Sequence, residues 1–123
     1  MGIISNKTKI FGIIGNPLSH TLSPMIHNFL FKEYDYDGIY LVFETENQDR
    51  TIVALQNLRI AGLSVTIPYK EWAYSISNKR DEASEWMKAA NTLTFSDEKI
   101  SAYNTDGYGA CRAVSEHSKK VFD

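Results

Sequence analysis

Three short runs gather the side chains that could do chemistry: Asn16-Pro17-Leu18-Ser19-His20-Thr21-Leu22-Ser23-Pro24, Val65-Thr66-Ile67-Pro68-Tyr69-Lys70 and Asn104-Thr105-Asp106-Gly107. They hold hydroxyls, amides, one lysine and one aspartate. That equipment suits a polyhydroxylated small molecule, which needs several short neutral hydrogen-bonding partners and one charged pair to move a proton. Each run follows an apolar stretch that reads as a strand, so each falls on a loop at a strand's end. In open α/β sheets the loops at that edge converge on one crevice, where ligands bind.

The elements that must position these runs alternate between two periods. Lys9 to Ile14 is a short continuous apolar run closed by Gly15-Asn16-Pro17, as expected of a strand buried on both faces. Ser23-Pro24 predicts a helix N-cap followed by proline at the first helical position. Met25, Ile26, Phe29 and Leu30 then recur at helical spacing, up to the break at Tyr34-Asp35-Tyr36-Asp37-Gly38. Ile39 to Phe43 reads as a second strand. Ile52, Leu55 and Leu58 mark one face of a helix from about Gln48 to Asn57. Leu63 to Ile67, between Gly62 and Pro68, is a third strand. Alternating β and α segments argue for a parallel sheet with right-handed crossovers.

The second half departs from that alternation. A helix from about Asp81 to Lys88 is expected to turn Ala83, Trp86 and Met87 toward the core. Thr92 to Phe95 and Ile100 to Tyr103 are strand-like and separated only by Ser96-Asp97-Glu98-Lys99. So short a connection joins antiparallel neighbours. With Asp97 and Glu98 at the turn, Ser96 pairs with Lys99, and Asn91 comes opposite Asn104 at the edge that carries Asp106. One strand therefore runs against the others.

Composition excludes several function classes. At 123 residues the chain is expected to form one domain. Its net charge of −2, with no basic block, gives no electrostatic footprint for nucleic acid or an anionic membrane. The dispersed tyrosines and tryptophans read as core and pocket walls, not as a stacking platform for single strands. No apolar run reaches the ~18–20 residues of a membrane span, and a signal-peptide pattern is missing. The single cysteine, Cys111, cannot form an internal disulfide, which suits a cytoplasmic protein. His20 and His27 lack the further ligands of a metal set, so no metal is expected. Ser19-His20 lacks the nucleophile elbow of a hydrolase. A response-regulator-like domain would need an acidic pocket after the first strand, and Gly15-Asn16-Pro17 offers none.

Taken together and in order, these motifs resemble the N-terminal, substrate-binding domain of shikimate dehydrogenases and their quinate-using relatives. The likeness runs from Gly15-Asn16-Pro17 through Ser23-Pro24-Met25-Ile26-His27-Asn28, Gly62 to Lys70 and Ala90-Asn91-Thr92, to Tyr103-Asn104-Thr105-Asp106-Gly107. The fold expected from the alternation and the resemblance is a three-layer α-β-α domain. Its sheet would be mostly parallel and six-stranded, with one antiparallel strand.

The resemblance implies an enzyme that reduces 3-dehydroshikimate to shikimate with NADPH, a step of aromatic amino-acid (chorismate) biosynthesis. It implies that Thr21 and Ser23 hold the substrate carboxylate, and that Thr66, Asn91, Lys70 and Asp106 surround its ring hydroxyls and carbonyl. Lys70 and Asp106 are the implied catalytic pair. Three positions depart from the usual pattern: Thr21 where serine is frequent, Ser64 where asparagine is common, and Ala89 where glycine is common. The methyl of Thr21 narrows the carboxylate pocket and bears on the choice between shikimate and quinate.

The resemblance also implies that NADP is bound mainly by a Rossmann domain absent from this chain, supplied in cis or in trans. Gly107-Tyr108-Gly109-Ala110-Cys111-Arg112 starts like a dinucleotide fingerprint, but arginine at its last position is too bulky for the close helix–strand contact that glycine provides there. The chain alone is therefore expected to bind substrate without turning it over. A non-catalytic binding module with the same fold is the alternative from another class. Each residue taken singly has a plainer use: Ser23 as a helix cap, Thr66 as strand composition, Asp106 as a turn. The combination is what points to a site.

Overall fold

A computed structural model describes residues 3–117. The strands are β1 (Lys9–Gly15), β2 (Gly38–Glu44), β3 (Gly62–Val65), β4 (Lys79–Arg80), β5 (Thr92–Ser96) and β6 (Lys99–Tyr103). The helices are α1 (Ser23–Glu33), α2 (Gln48–Asn57), α3 (Lys70–Ser75), α4 (Glu82–Met87) and α5 (Asp106–His117). The six strands form one sheet in the order β2-β1-β3-β5-β6-β4. β1 pairs parallel with β2 and β3, and β4 with β6, whereas β5 runs antiparallel to both its neighbours. The expected hairpin register holds: Ser96 pairs with Lys99 and Thr92 with Tyr103. The turn is closed by Asp97 and Glu98, both at positive φ (48° and 62°).

Alternation along the strands sends side chains to two cores. Ile14, Leu63, Val65, Leu93, Ile100 and Ala102 face α2 and α3, where Ile52, Leu55 and Ala73 meet them. Ile13 and Tyr40 face the other way, with Leu18 and, on α1, the half-buried Phe31. Helices thus lie on both faces of the sheet. No helix among the described residues is long and apolar enough to cross a membrane.

Two sequence expectations are corrected, the Ser23 cap and the inward turn of Trp86 and Met87, and two sets of helically spaced apolar residues prove wholly or partly exposed. α1 starts at Ser23 itself, with Leu22 as its cap residue and no side-chain cap bond. The backbone already turns at Leu22 (φ −95°, ψ −4°), where the Ser23 N–H meets Thr21 Oγ1 at 3.3 Å. The regularly spaced Met25, Ile26, Phe29 and Leu30 all lie exposed, on the side of α1 away from the sheet. Its rotation is set instead by Asn28, whose side chain bonds both the N–H and the C=O of Tyr40 (2.9 and 3.0 Å). Leu58, just beyond α2, is exposed while Ile52 and Leu55 are buried. Trp86 and Met87 turn to solvent, Trp86 at 81% exposure. Short α4 is oriented by Asp81, whose carboxylate accepts the Ser84 N–H at 2.9 Å, and by Ser84, which is fully buried. At ~100° per residue, Trp86 lies about 200° around the helix from Ser84.

Candidate active site

All three chemistry-bearing runs come to one edge of the sheet. β1, β3 and β6 end there, and β5, running the other way, begins there with Asn91 just before it. Val65 N–H bonds Asn91 O at 2.8 Å and Asn91 N–H bonds Tyr103 O at 3.0 Å, so the backbone around Asn91 is pinned on both sides.

Lys70 and Asp106 open helices α3 and α5 and face each other across this edge. Lys70 Nζ donates to Asp106 Oδ2 at 2.7 Å, and Asn91 Nδ2 donates to Asp106 Oδ1 at 2.9 Å. Asn91 Nδ2 also donates to Thr105 Oγ1 at 2.9 Å, while its Oδ1 accepts from Thr105 N–H at 3.2 Å and Thr92 Oγ1 at 3.0 Å. Beneath lies Asn104, 3% exposed, whose Nδ2 donates to Ala89 O and whose Oδ1 accepts the Asp106 N–H, both at 2.9 Å. The carboxylate is thus oriented through both of its oxygens. The hydrogen bond from Lys70, helped by that from Asn91, holds the Asp106 carboxyl below the ordinary carboxylate range against the opposing effect of burial. The Lys70 and Asp106 side chains are 34% and 44% exposed. A pair so open to water adds under about 1 kcal/mol to stability.

Thr66 follows β3 directly, its N–H on Ile14 O at 3.0 Å. Its methyl lies where a side chain on Gly15 would be, so glycine at that position is what lets Thr66 close onto β1. Thr21 and Ser23 lie where α1 begins, in a second group. Ser23 lies toward the hydroxyl of Tyr40, and that hydroxyl donates to Ser64 Oγ at 2.8 Å. Of the six residues singled out in the sequence, Lys70, Asp106 and Asn91 are bonded together. Thr66 joins this set by no hydrogen bond, and no hydrogen bond or ion pair among the described residues links Thr21 or Ser23 to Lys70 or Asp106. The sequence reading passed over Tyr40, Thr105 and the structural part played by Asn104. A buried tyrosine at an inward strand position needs a hydroxyl partner, and that was the available signal for Tyr40.

Among the described residues no group of three His, Cys, Asp or Glu side chains is placed to hold a metal ion. On α5, Cys111 is exposed, and Arg112 bonds Tyr108 and Glu116 along the helix surface, both at 3.1 Å.

The fold and this edge together define an α/β domain with a lysine–aspartate ion pair where its strands end. Residues 13–93 match the family described as the shikimate dehydrogenase substrate binding domain, and the chain belongs to that family. Similar relatives include the NADP(+) shikimate dehydrogenases of Leptospira interrogans, 48% identical over 93% of this chain and 40% of the relative, and of Pyrococcus furiosus, 38% identical over 95% and 44%. The crystal structure of the Aquifex aeolicus shikimate dehydrogenase superposes with a TM-score of 0.90 at 28% identity, covering 95% of this chain and 45% of that one. The chain spans less than half the length of these relatives.

A nicotinamide dinucleotide, implied by the relatives' names, does not fit the described residues. A pyrophosphate cradle needs glycines where backbone and ligand close up at a helix N-terminus. Gly107 and Gly109 are followed by Arg112, bonded to Tyr108 and Glu116, where such a cradle needs a small residue against the strand. The N-terminus of α5 is also taken by the Asp106 carboxylate, which repels a second anion.

Proposed function

We propose that this chain is the substrate-binding, catalytic-residue-bearing part of an NADP-dependent shikimate dehydrogenase. The observation that carries the reading is the Lys70–Asp106 pair closed by Asn91 at the ligand edge. Thr21 and Ser23, where α1 begins, take the carboxylate; neutral donors and a helix N-terminus both favour an anion there. Thr66, Asn91, Lys70 and Asp106 take the ring oxygens. A carbonyl oxygen that becomes an alcohol gains negative charge and needs a proton. Lys70 Nζ supplies that proton, and Asp106, ionised across the neutral range, keeps the amine aimed and balances its charge. In the reverse direction Lys70 takes the hydroxyl proton back. The nucleotide would be held by residues other than those described, and the domain without it binds and does not turn over. The Thr21 methyl narrows the space beside the carboxylate, which favours shikimate over quinate, with its extra hydroxyl on the carboxylate-bearing carbon.

Titration of the 123-residue chain with shikimate and with quinate, followed by amide NMR, tests this. Shifts centred on Thr21, Ser23, Thr66, Lys70, Asn91 and Asp106, stronger with shikimate, are expected. Silence with both at millimolar ligand, or shifts elsewhere, would sink the reading.

A further inference from the structure

Tyr40 lies outside the implied set of site residues, yet it joins two of its parts. It is 3% exposed, in the middle of β2. The Asn28 side chain holds its backbone on both sides, and its ring stacks on His27 of α1, centroids 4.2 Å apart and planes 3° from parallel. Ser23 precedes His27 by four residues, one helical turn, so it lies on the same side of α1. That places Ser23 on the side of α1 that faces Tyr40, toward the hydroxyl end of the phenol. On its other side the Tyr40 hydroxyl meets Ser64 Oγ at 2.8 Å. Ser64 lies two residues before Thr66, so one phenol bridges the carboxylate side and the ring-oxygen side.

Each hydroxyl in the row Ser64–Tyr40–Ser23 has one proton and two lone pairs, and each can rotate. With Tyr40 donating to Ser64, the phenol lone pairs are left open on the side of Ser23. We propose that Tyr40 is a positioning residue for the ligand's carboxylate: an arriving anion reverses the row. Ser64 then donates to Tyr40, Tyr40 donates to Ser23, and the Ser23 proton is released to the carboxylate. No bond other than these hydrogen bonds is made or broken, and every proton stays on its own oxygen. Three aligned hydroxyls polarise one another toward the negative charge, which strengthens the last bond.

The inference rests on the proposed function, and its test separates the two. The affinities of the chain for shikimate and for shikimate methyl ester, which lacks the negative charge, are compared in wild type and Tyr40→Phe. The phenylalanine keeps the ring and its stack but ends the row. Expected is a loss of about tenfold for shikimate, the size of a charge-assisted hydrogen bond, and little change for the ester. Equal losses for both ligands would make Tyr40 merely structural, and unchanged shikimate binding would remove its role; either overturns the proposal. If Tyr40→Phe does not fold, Ser64→Ala decides: a loss confined to shikimate supports the row, and equal or absent losses overturn it. A wild-type chain that binds neither ligand overturns the functional reading, and this inference with it. Binding by wild type with an indifferent variant overturns this inference alone.

Discussion

The two sides of the crevice are built differently. On the side of β5 and β6, Lys70, Asp106, Asn91 and Thr105 satisfy one another, and Asn104 fixes them from below. On the side of β1, β2 and β3, Thr21, Ser23, Tyr40 and Ser64 are short or singly rotating hydroxyls backed by strand and helix. A ligand must enter the first network by sharing bonds that already exist, whereas the second has only to turn. In the function proposed above, the charged side does chemistry at one fixed point and the hydroxyl side holds an anion at small reorganisation cost.

The comparison breaks most sharply at Lys70. In a longer protein that turns over shikimate, Lys70→Ala is expected to lower kcat by about 10²–10⁴-fold, the span of general acid–base effects. Loss of Ser23 by substitution with alanine is expected to act mainly on KM. Steady-state kinetics of both variants checks the division of labour, and a Lys70→Ala enzyme with near-normal kcat would erase it.

Asn104→Ala removes the support beneath the charged side. It strands the Ala89 carbonyl and the Asp106 N–H, at a cost of about 1–3 kcal/mol in a denaturant melt. Gly15→Ala acts between the two sides by pushing Thr66 off β1, with about 1–3 kcal/mol lost to overpacking. Weakened shikimate binding at full occupancy of the fold would tie that loss to Thr66.

Acid probes the charged side more gently. The Asp106 carboxyl is held below its ordinary range, so its contribution to stability is complete above that range and fades as pH falls through the folded value. Carboxyl-detected NMR should find its midpoint low in the wild type and raised toward ordinary in Lys70→Met. An unmoved midpoint would mean that Lys70 is not the cause.

The smallest effect is expected away from both sides. Glu98→Gly relieves a positive φ at the hairpin turn, at the opposite edge of the sheet. It should add up to about 1 kcal/mol of stability in the melt and leave shikimate affinity unchanged.

How much of this was legible follows from which interactions are local. A four-residue connection dictated the β5–β6 hairpin, and its register delivered Asn91 to Asp106. The outward turn of Trp86 was hidden because a helix of one and a half turns is oriented by its cap and one buried serine, not by apolar spacing. The rotation of α1 was hidden likewise, since Asn28 and His27 find Tyr40 only across 12 and 13 residues of chain. The Ser64–Tyr40 bond spans 24 residues and two elements, beyond any motif.

Cys111 is the chain's single thiol, and it is exposed on the helix that Asp106 begins. Five residues of helix put it about 7.5 Å along the axis from the carboxylate that bonds Lys70. A maleimide dye or nitroxide will therefore attach at one defined place without any engineering, near enough to sense the crevice filling. The chain carries its own labelling site on the helix that holds Asp106, ready for the shikimate titration proposed above.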